Sequence, residues 1–299
     1  MSEFQRPLVA LSMTEADADL LAYAAIAFTP AVCEEIRFTH VVHGGQSGRP
    51  PDALAGLKER LQAEVREHFG TEAANLAFDV VEGERLDQIL SLAAQHSSDV
   101  ILLGHHREHS GWRSLARHLV MVAPCSIWMV PEGAPCTLGN ILVPVDFSSH
   151  SRDALAVATS LAAGRGLKSC RALHVFFDPS TIRYDEHVDE VVGNQQAAFD
   201  EMLAGVDCHG VGVELVLEES PHTSEAILRV AERTAADLIV LNTRGRSRAA
   251  AVLLGSVTAD TIAATSIPLL AVKHFGSRLT LFQALANHRF WEEPPLKAN

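Results

Sequence analysis

Long apolar runs, paired cysteines and surplus positive charge are all missing from this 299-residue chain. No uninterrupted apolar stretch approaches the roughly 20 residues that span a bilayer, which predicts no membrane-crossing helix and no membrane partner. Met1-Ser2-Glu3-Phe4-Gln5-Arg6 carries no signal-peptide core, so the expected compartment is the cytoplasm. Five cysteines, Cys33, Cys125, Cys136, Cys170 and Cys208, are odd in number and form no Cys-x-x-Cys pair. That pattern excludes a disulfide or zinc framework and suits a reducing compartment. Lys and Arg total 24 against 37 Asp and Glu, a formal charge of −13. Nucleic acids reward clustered positive charge, so a nucleic-acid partner is not expected. No nucleophile–base pair or carboxylate dyad emerges at usable spacing, so chemistry on a substrate is not supported beyond slow hydrolysis of a bound nucleotide.

What is present is a strand followed by a loop of small residues. Asp237-Leu238-Ile239-Val240-Leu241 is a β-branched apolar run, followed by Asn242-Thr243-Arg244-Gly245, nine further residues, and Gly255-Ser256-Val257. A helix predicted over 256–264 would offer free N–H groups and its positive dipole end to an anion. Arg244, Arg246 and Arg248 cluster on the same loop. Ile141-Leu142-Val143-Pro144-Val145-Asp146 is a second buried strand ending in a carboxylate, and Cys170-Arg171-Ala172-Leu173-His174-Val175 is a third. In an open parallel sheet, ligands sit beyond the carboxyl ends of the strands where the strand order reverses. Asp146, Val175 and the Gly245/Gly255 loop would converge there.

These residues resemble the universal stress protein family, whose ATP-binding members carry a strand-terminal Asp and a G-x2-G-x9-G-[S/T] loop. Here the first glycine is Asn242, and Asn is the residue other than Gly that best tolerates a left-handed backbone. The resemblance implies a site for ATP, with ADP or AMP as alternatives, formed by Pro144, Val145, Asp146, Val175, Leu241, Asn242, Gly245, Gly255, Ser256 and Val257. It also implies a regulatory, stress-related role with an unidentified protein partner; whether a metal accompanies the nucleotide is left unknown. Each residue has a plainer reading too. The glycines would serve as turn formers, Ser256 as a helix N-cap, Asp146 as a cap for a helix beginning near Ser151, and the arginines as a solvated loop.

The pattern occurs twice. Leu8-Val9-Ala10-Leu11-Ser12 matches Leu142-Val143-Pro144-Val145-Asp146 at an offset of 134 residues (142 − 8), and the same offset places Arg37 on Arg171 and His40 on His174. The offset grows to 138 at Asp99 and Asp237 and to 142 at Val130 and Val272. Self-similarity of this length means two copies of one fold. Strands alternate with helices predicted over 16–27, 86–96, 153–163 and 224–235, which implies an α/β architecture of two tandem doubly wound parallel sheets. The expected divisions are residues 1–137, 138–276 and a tail, 277–299.

The copies differ where function would lie. Ser12 stands where the second has Asp146, Arg107 replaces the middle glycine, and no Gly-Ser pair follows. The first copy is therefore expected to have lost the nucleotide site. The short last strands, 126–130 and 268–272, are edges that need covering. Family members commonly pair them across a two-fold, so the two copies are expected to form a dimer-like unit within one chain. Two independently tumbling units, and a homodimer of whole chains, remain alternatives. Apolar Leu281, Phe282, Leu285, Phe290 and Trp291 predict a tail that docks on a folded body. His40, His43, His105, His106 and His109 leave a transition-metal site open, with solvated loop histidines as the plainer reading. A nucleotide-free interaction scaffold is the rival function.

Overall fold

The computed structural model describes residues 4–43, 51–71, 73–105, 110–180, 185–243 and 254–273. Gly245, the three loop arginines, His106, His109 and the tail from 277 onward therefore lie outside the described residues. The first half runs β1 (Pro7–Leu11), α1 (Asp17–Ala27), β2 (Ile36–His43), α2 (Pro51–Phe69), β3 (Leu76–Gly83), α3 (Arg85–Gln95), β4 (Val100–His105), α4 (Ser110–Val122) and β5 (Ser126–Pro131). The second runs β6 (Ile141–Pro144), α5 (Ser149–Gly164), β7 (Ser169–Phe176), α6 (Asp185–Leu203), β8 (Gly212–Glu219), α7 (Thr223–Arg233), β9 (Leu238–Asn242), α8 (Ser256–Ala264) and β10 (Leu269–Val272).

Alternation along each strand explains why these runs are apolar on both faces. Leu8, Ile101, Ile127, Leu142 and Leu269 point to one side of the sheet and pack with Ile89, Leu119, Ile227 and Ile262 of α3, α4, α7 and α8. Their neighbours Val9, Leu102, Trp128, Val143 and Leu270 point to the other side, against α1, α2, α5 and α6. A parallel sheet covered on both faces needs this continuous hydrophobicity.

The strands form one ten-stranded sheet in the order β3-β2-β1-β4-β5-β10-β9-β6-β7-β8. Each half has the same register: Leu8 lies beside Arg37 and Ile101, as Leu142 lies beside Arg171 and Ile239. Within each half all pairings are parallel, and strand order reverses between β1 and β4, and again between β6 and β9. The halves meet where β5 and β10 pair antiparallel, Trp128 opposite Leu270. The dimer-like unit expected from the short end strands is thus a single continuous sheet, not two independent bodies.

Two cations tie the halves together across the joint. Arg165, just past α5, donates to Leu161 O of its own helix and to Ala27 O at the end of α1, at 3.1 and 2.9 Å. Lys273, just past β10, donates to Met121 O and Ala123 O at the end of α4, at 3.0 and 2.6 Å. Both meet carbonyls that a helix C-terminus leaves unsatisfied, where the dipole favours positive charge. Burial pulls the Arg165 guanidinium below its ordinary pKa, and the nearby Tyr23 and Asp237 oppose that shift. Among the described residues no helix is long and apolar enough to cross a membrane.

One helix begins earlier than its composition suggests. The Ala-rich segment predicts a start at 153, whereas α5 starts at Ser149, because Ser148 is extended and its hydroxyl accepts the Ser151 N–H. Polar Ser148-Ser149-His150 hide the first turn from a reading based on apolar spacing.

Candidate functional site

The switch point of the second half lies between β6 and β9, where the carboxyl ends of the two strands border a crevice. After Pro144, partly exposed, Val145 is buried and its N–H donates to Leu173 O at 2.8 Å. The chain then turns sharply: Phe147 takes φ 60°, a left-handed backbone rare for a bulky side chain. The turn is stabilised by stacking, since the Phe147 and His174 rings lie 4.1 Å apart and 26° from parallel. His174 Nδ1 bonds Val145 O at 2.8 Å, which fixes the imidazole as part of the scaffold.

Asp146 sits at the mouth of this turn, partly exposed. Its Oδ1 accepts from Ser148 N–H at 3.1 Å and from Ser151 Oγ at 2.5 Å, and its own N–H donates to Ser151 Oγ at 2.9 Å. The cap of α5 is Ser148, not Asp146; the carboxylate instead belongs to a three-residue network at the strand end. Val175 is the penultimate residue of β7 and packs, half-buried, on the same face as Leu241. Just beyond β7, hydrogen bonds from the Ser180 hydroxyl and amide, and then from His187, hold the Asp178 carboxyl down at about 2. The His187 contact, 2.8 Å, ties this exit to the start of α6.

On the opposite wall, Leu241 is buried and Asn242 ends β9. Asn242 does not use a left-handed backbone, as the sequence suggested; among the described residues the non-glycine positions with positive φ are Met13, Ser97, Phe147, His209 and Ala235. Its carboxamide does the work instead, donating to His150 O in the first turn of α5 at 3.0 Å. The side chain thus bridges the two walls of the crevice, a contact that glycine cannot make. Asn242 O accepts from Thr258 Oγ1 at 3.0 Å, and Gly255 N–H donates to Thr243 O at 3.2 Å, which seats α8 beside the strand end. The N-cap is Gly255, φ −59° and ψ 140°, without a side-chain cap; Ser256 is the first helical residue, followed by half-buried Val257. The first-turn N–H groups of a helix have no intrahelical acceptors, so this end of α8 presents donors toward the crevice.

The first half keeps the turn and rearranges its charge. Met13 takes the Phe147 backbone, also φ 60°, and His40 Nδ1 bonds Leu11 O at 3.0 Å, as His174 does with Val145. The carboxylate, however, comes from Asp17 in α1, which is only 4% exposed. Its Oδ1 accepts from Ser12 N–H and Ser12 Oγ at 3.1 and 2.9 Å, its Oδ2 from Met13 and Thr14 N–H at 2.5 and 3.3 Å. A carboxylate has about four acceptor positions, and the turn itself fills them. Sequence reasoning caught Ser12 for Asp146 but missed Asp17 for Ser151; writing Asp-x4-Ser above Ser-x4-Asp at the 134-residue offset would have revealed it. His43 faces Glu84 across 3.6 Å at the surface.

A family model described as the universal stress protein family matches residues 137–273. A curated relative, the universal stress protein in QAH/OAS sulfhydrylase 3'region of Thermus aquaticus, is 31% identical over 145 residues, covering 45% of this chain and 98% of that protein. The stress response protein NhaX of Bacillus subtilis (strain 168) is 30% identical over 95 residues, 32% of this chain; the chain spans about half of that relative, 52%. In fold, the chain is similar to a putative universal stress protein of Pseudomonas aeruginosa UCBPP-PA14, with TM-score 0.66 and 17% identity over 91% of this chain and 94% of that one. A universal stress protein of Archaeoglobus fulgidus DSM 4304 gives TM-score 0.63 at 19% identity, over 90% and 96% of the two chains.

Proposed function

The chain belongs to the universal stress protein family, and from that premise we propose that it is a cytoplasmic, regulatory adenine-nucleotide binder whose single site lies in the second of two tandem units, residues 138–276. ATP is the proposed ligand, with ADP or AMP as alternatives. Asp146 and the Pro144–Val145 backbone meet the nucleoside, with Val175 and Leu241 as apolar walls. Asn242, Gly245, Gly255, Ser256 and Val257 hold the phosphates through backbone N–H groups and the start of α8. Residues 1–137 form the unit without a site, and 277–299 the tail.

The observation that carries this reading is the contrast between the two turns. Asp146 is partly exposed at the switch point, whereas the first half's Asp17 is buried and its four acceptor positions are filled. Among the described residues, the strand-end carboxylate reaches the surface in the second half and is buried in the first. Calorimetric titration of the full chain with ATP is expected to give a stoichiometry near one. A value near two would overturn the asymmetry, and no binding would overturn the nucleotide reading.

A second reading, a nucleotide-free scaffold, is favoured by the bridge from Asn242 to His150, which occupies the place the family leaves to glycine. Native mass spectrometry separates the two. Co-purified nucleotide supports the binder; an apo chain that also fails to take up ATP supports the scaffold.

A further inference from the structure

The two strand-end turns are built by the same pair of side chains with their places exchanged. Residues 146 and 151 are Asp and Ser; their equivalents, 12 and 17, are Ser and Asp. In both halves the serine hydroxyl donates to the carboxylate, Ser151 Oγ to Asp146 Oδ1 at 2.5 Å and Ser12 Oγ to Asp17 Oδ1 at 2.9 Å. The backbone N–H at the strand end, of Asp146 or Ser12, donates to whichever residue the helix supplies, at 2.9 and 3.1 Å. The left-handed residue that follows, Phe147 or Met13, is also shared. The exchange therefore preserves the turn and relocates the charge. At position 146 the carboxylate stands at the mouth of the crevice; at position 17 it is buried under the strand end, facing its own backbone.

We propose that Ser151 is the positioning residue of the second-half site and that the order of this Asp/Ser pair determines which half accepts a nucleotide. Ser151 is 6% exposed and fixed at the start of α5 by its own N–H, which donates to Ser148 Oγ at 3.2 Å. From there its hydroxyl receives the Asp146 N–H and clasps Oδ1, so the carboxylate is aimed before the ligand arrives. A carboxylate held this way suits a hydroxyl or amino donor of the nucleoside portion. Pre-aiming lowers the ordering cost of binding. This inference rests on the nucleotide reading above, and its test separates the two.

The experiment uses the full-length chain titrated with ATP, alongside thermal melts. Ser151→Ala is expected to weaken binding about tenfold, and Ser151→Thr, which keeps the hydroxyl, to restore it to within about threefold. The exchanged pair, D146S with S151D, copies a turn that the chain already folds in its first half. It is expected to melt within a few degrees of wild type and yet bind at least thirtyfold more weakly. A purely structural role predicts that affinity follows the melting temperature; here the two must part. The proposal is overturned if wild type binds ATP and Asp146→Asn weakens it, while Ser151→Ala or the exchanged pair binds as wild type. A wild-type chain that binds no ATP overturns it together with the nucleotide reading.

Discussion

Gly255→Asp is expected to weaken ATP binding at least tenfold without lowering the melting temperature. The chain itself has no need of glycine at this position. Its φ of −59° and ψ of 140° suit any residue, and an added Cβ would meet Thr243 O and Thr258 Oγ1 at 3.7 Å, an ordinary contact. Asp is moreover a favoured N-cap, able to accept the N–H groups at the start of α8, so the helix should gain stability. A phosphate would need those same N–H groups. The carboxylate would occupy them and add a like charge beside the incoming anion; losing about 1.4 kcal/mol already corresponds to tenfold. Calorimetry and a thermal melt on the same variant decide it. Unchanged affinity would remove α8 from the site, whereas lost affinity with a lowered melting temperature would point to damage in the fold.

Trp128→Ala is expected to cost about 3–5 kcal/mol of stability, the usual range for deleting a fully buried large aromatic. Trp128 is wholly buried in β5, directly opposite Leu270 of β10 across the joint. Phe4, Tyr23 and Phe28 surround it, with ring centroids 6.2, 5.9 and 5.8 Å away, the last two edge-on. Whole-protein stabilities of 5–15 kcal/mol make such a loss severe. Because the cavity would open where the halves meet, calorimetry should show a single unfolding transition splitting in two. A loss below about 1 kcal/mol would show that the joint is held mainly by backbone pairing and by the Arg165 and Lys273 contacts.

Strand identity and strand register were legible because both depend on local or repeating signals. Leu8 and Leu142 begin equivalent apolar runs, and the 134-residue offset between them reappears as identical pairing with Arg37 and Arg171. The pairing of the two short end strands was implied by the family resemblance, while the antiparallel direction of the β5–β10 joint is visible only in the structure. Side-chain bonds between distant segments left no such trace. Asn242 reaches His150 across 92 residues, and nothing in the composition of either segment signals that contact. Gly255 has ordinary torsions that do not require glycine, so any special role it has is defined by what approaches it. The early start of α5 was hidden for a related reason, since Ser148 caps through a hydroxyl geometry that apolar spacing does not report.

The pairing of β5 with β10 also sets a timetable for synthesis. Met129 and Leu269 are neighbours in the finished sheet yet lie 140 residues apart in the chain (269 − 129). At roughly 5–20 residues per second, a ribosome needs on the order of ten seconds to deliver the second after the first. Throughout that interval the first half has its other four strands but not the cover for β5. Ile127, Trp128 and Met129, all buried in the mature protein, then border an open hydrogen-bonding edge, the kind of surface on which nascent chains aggregate. The half that emerges first thus spends its early life waiting for its sibling, and the cell must keep neighbouring polysomes from supplying a substitute.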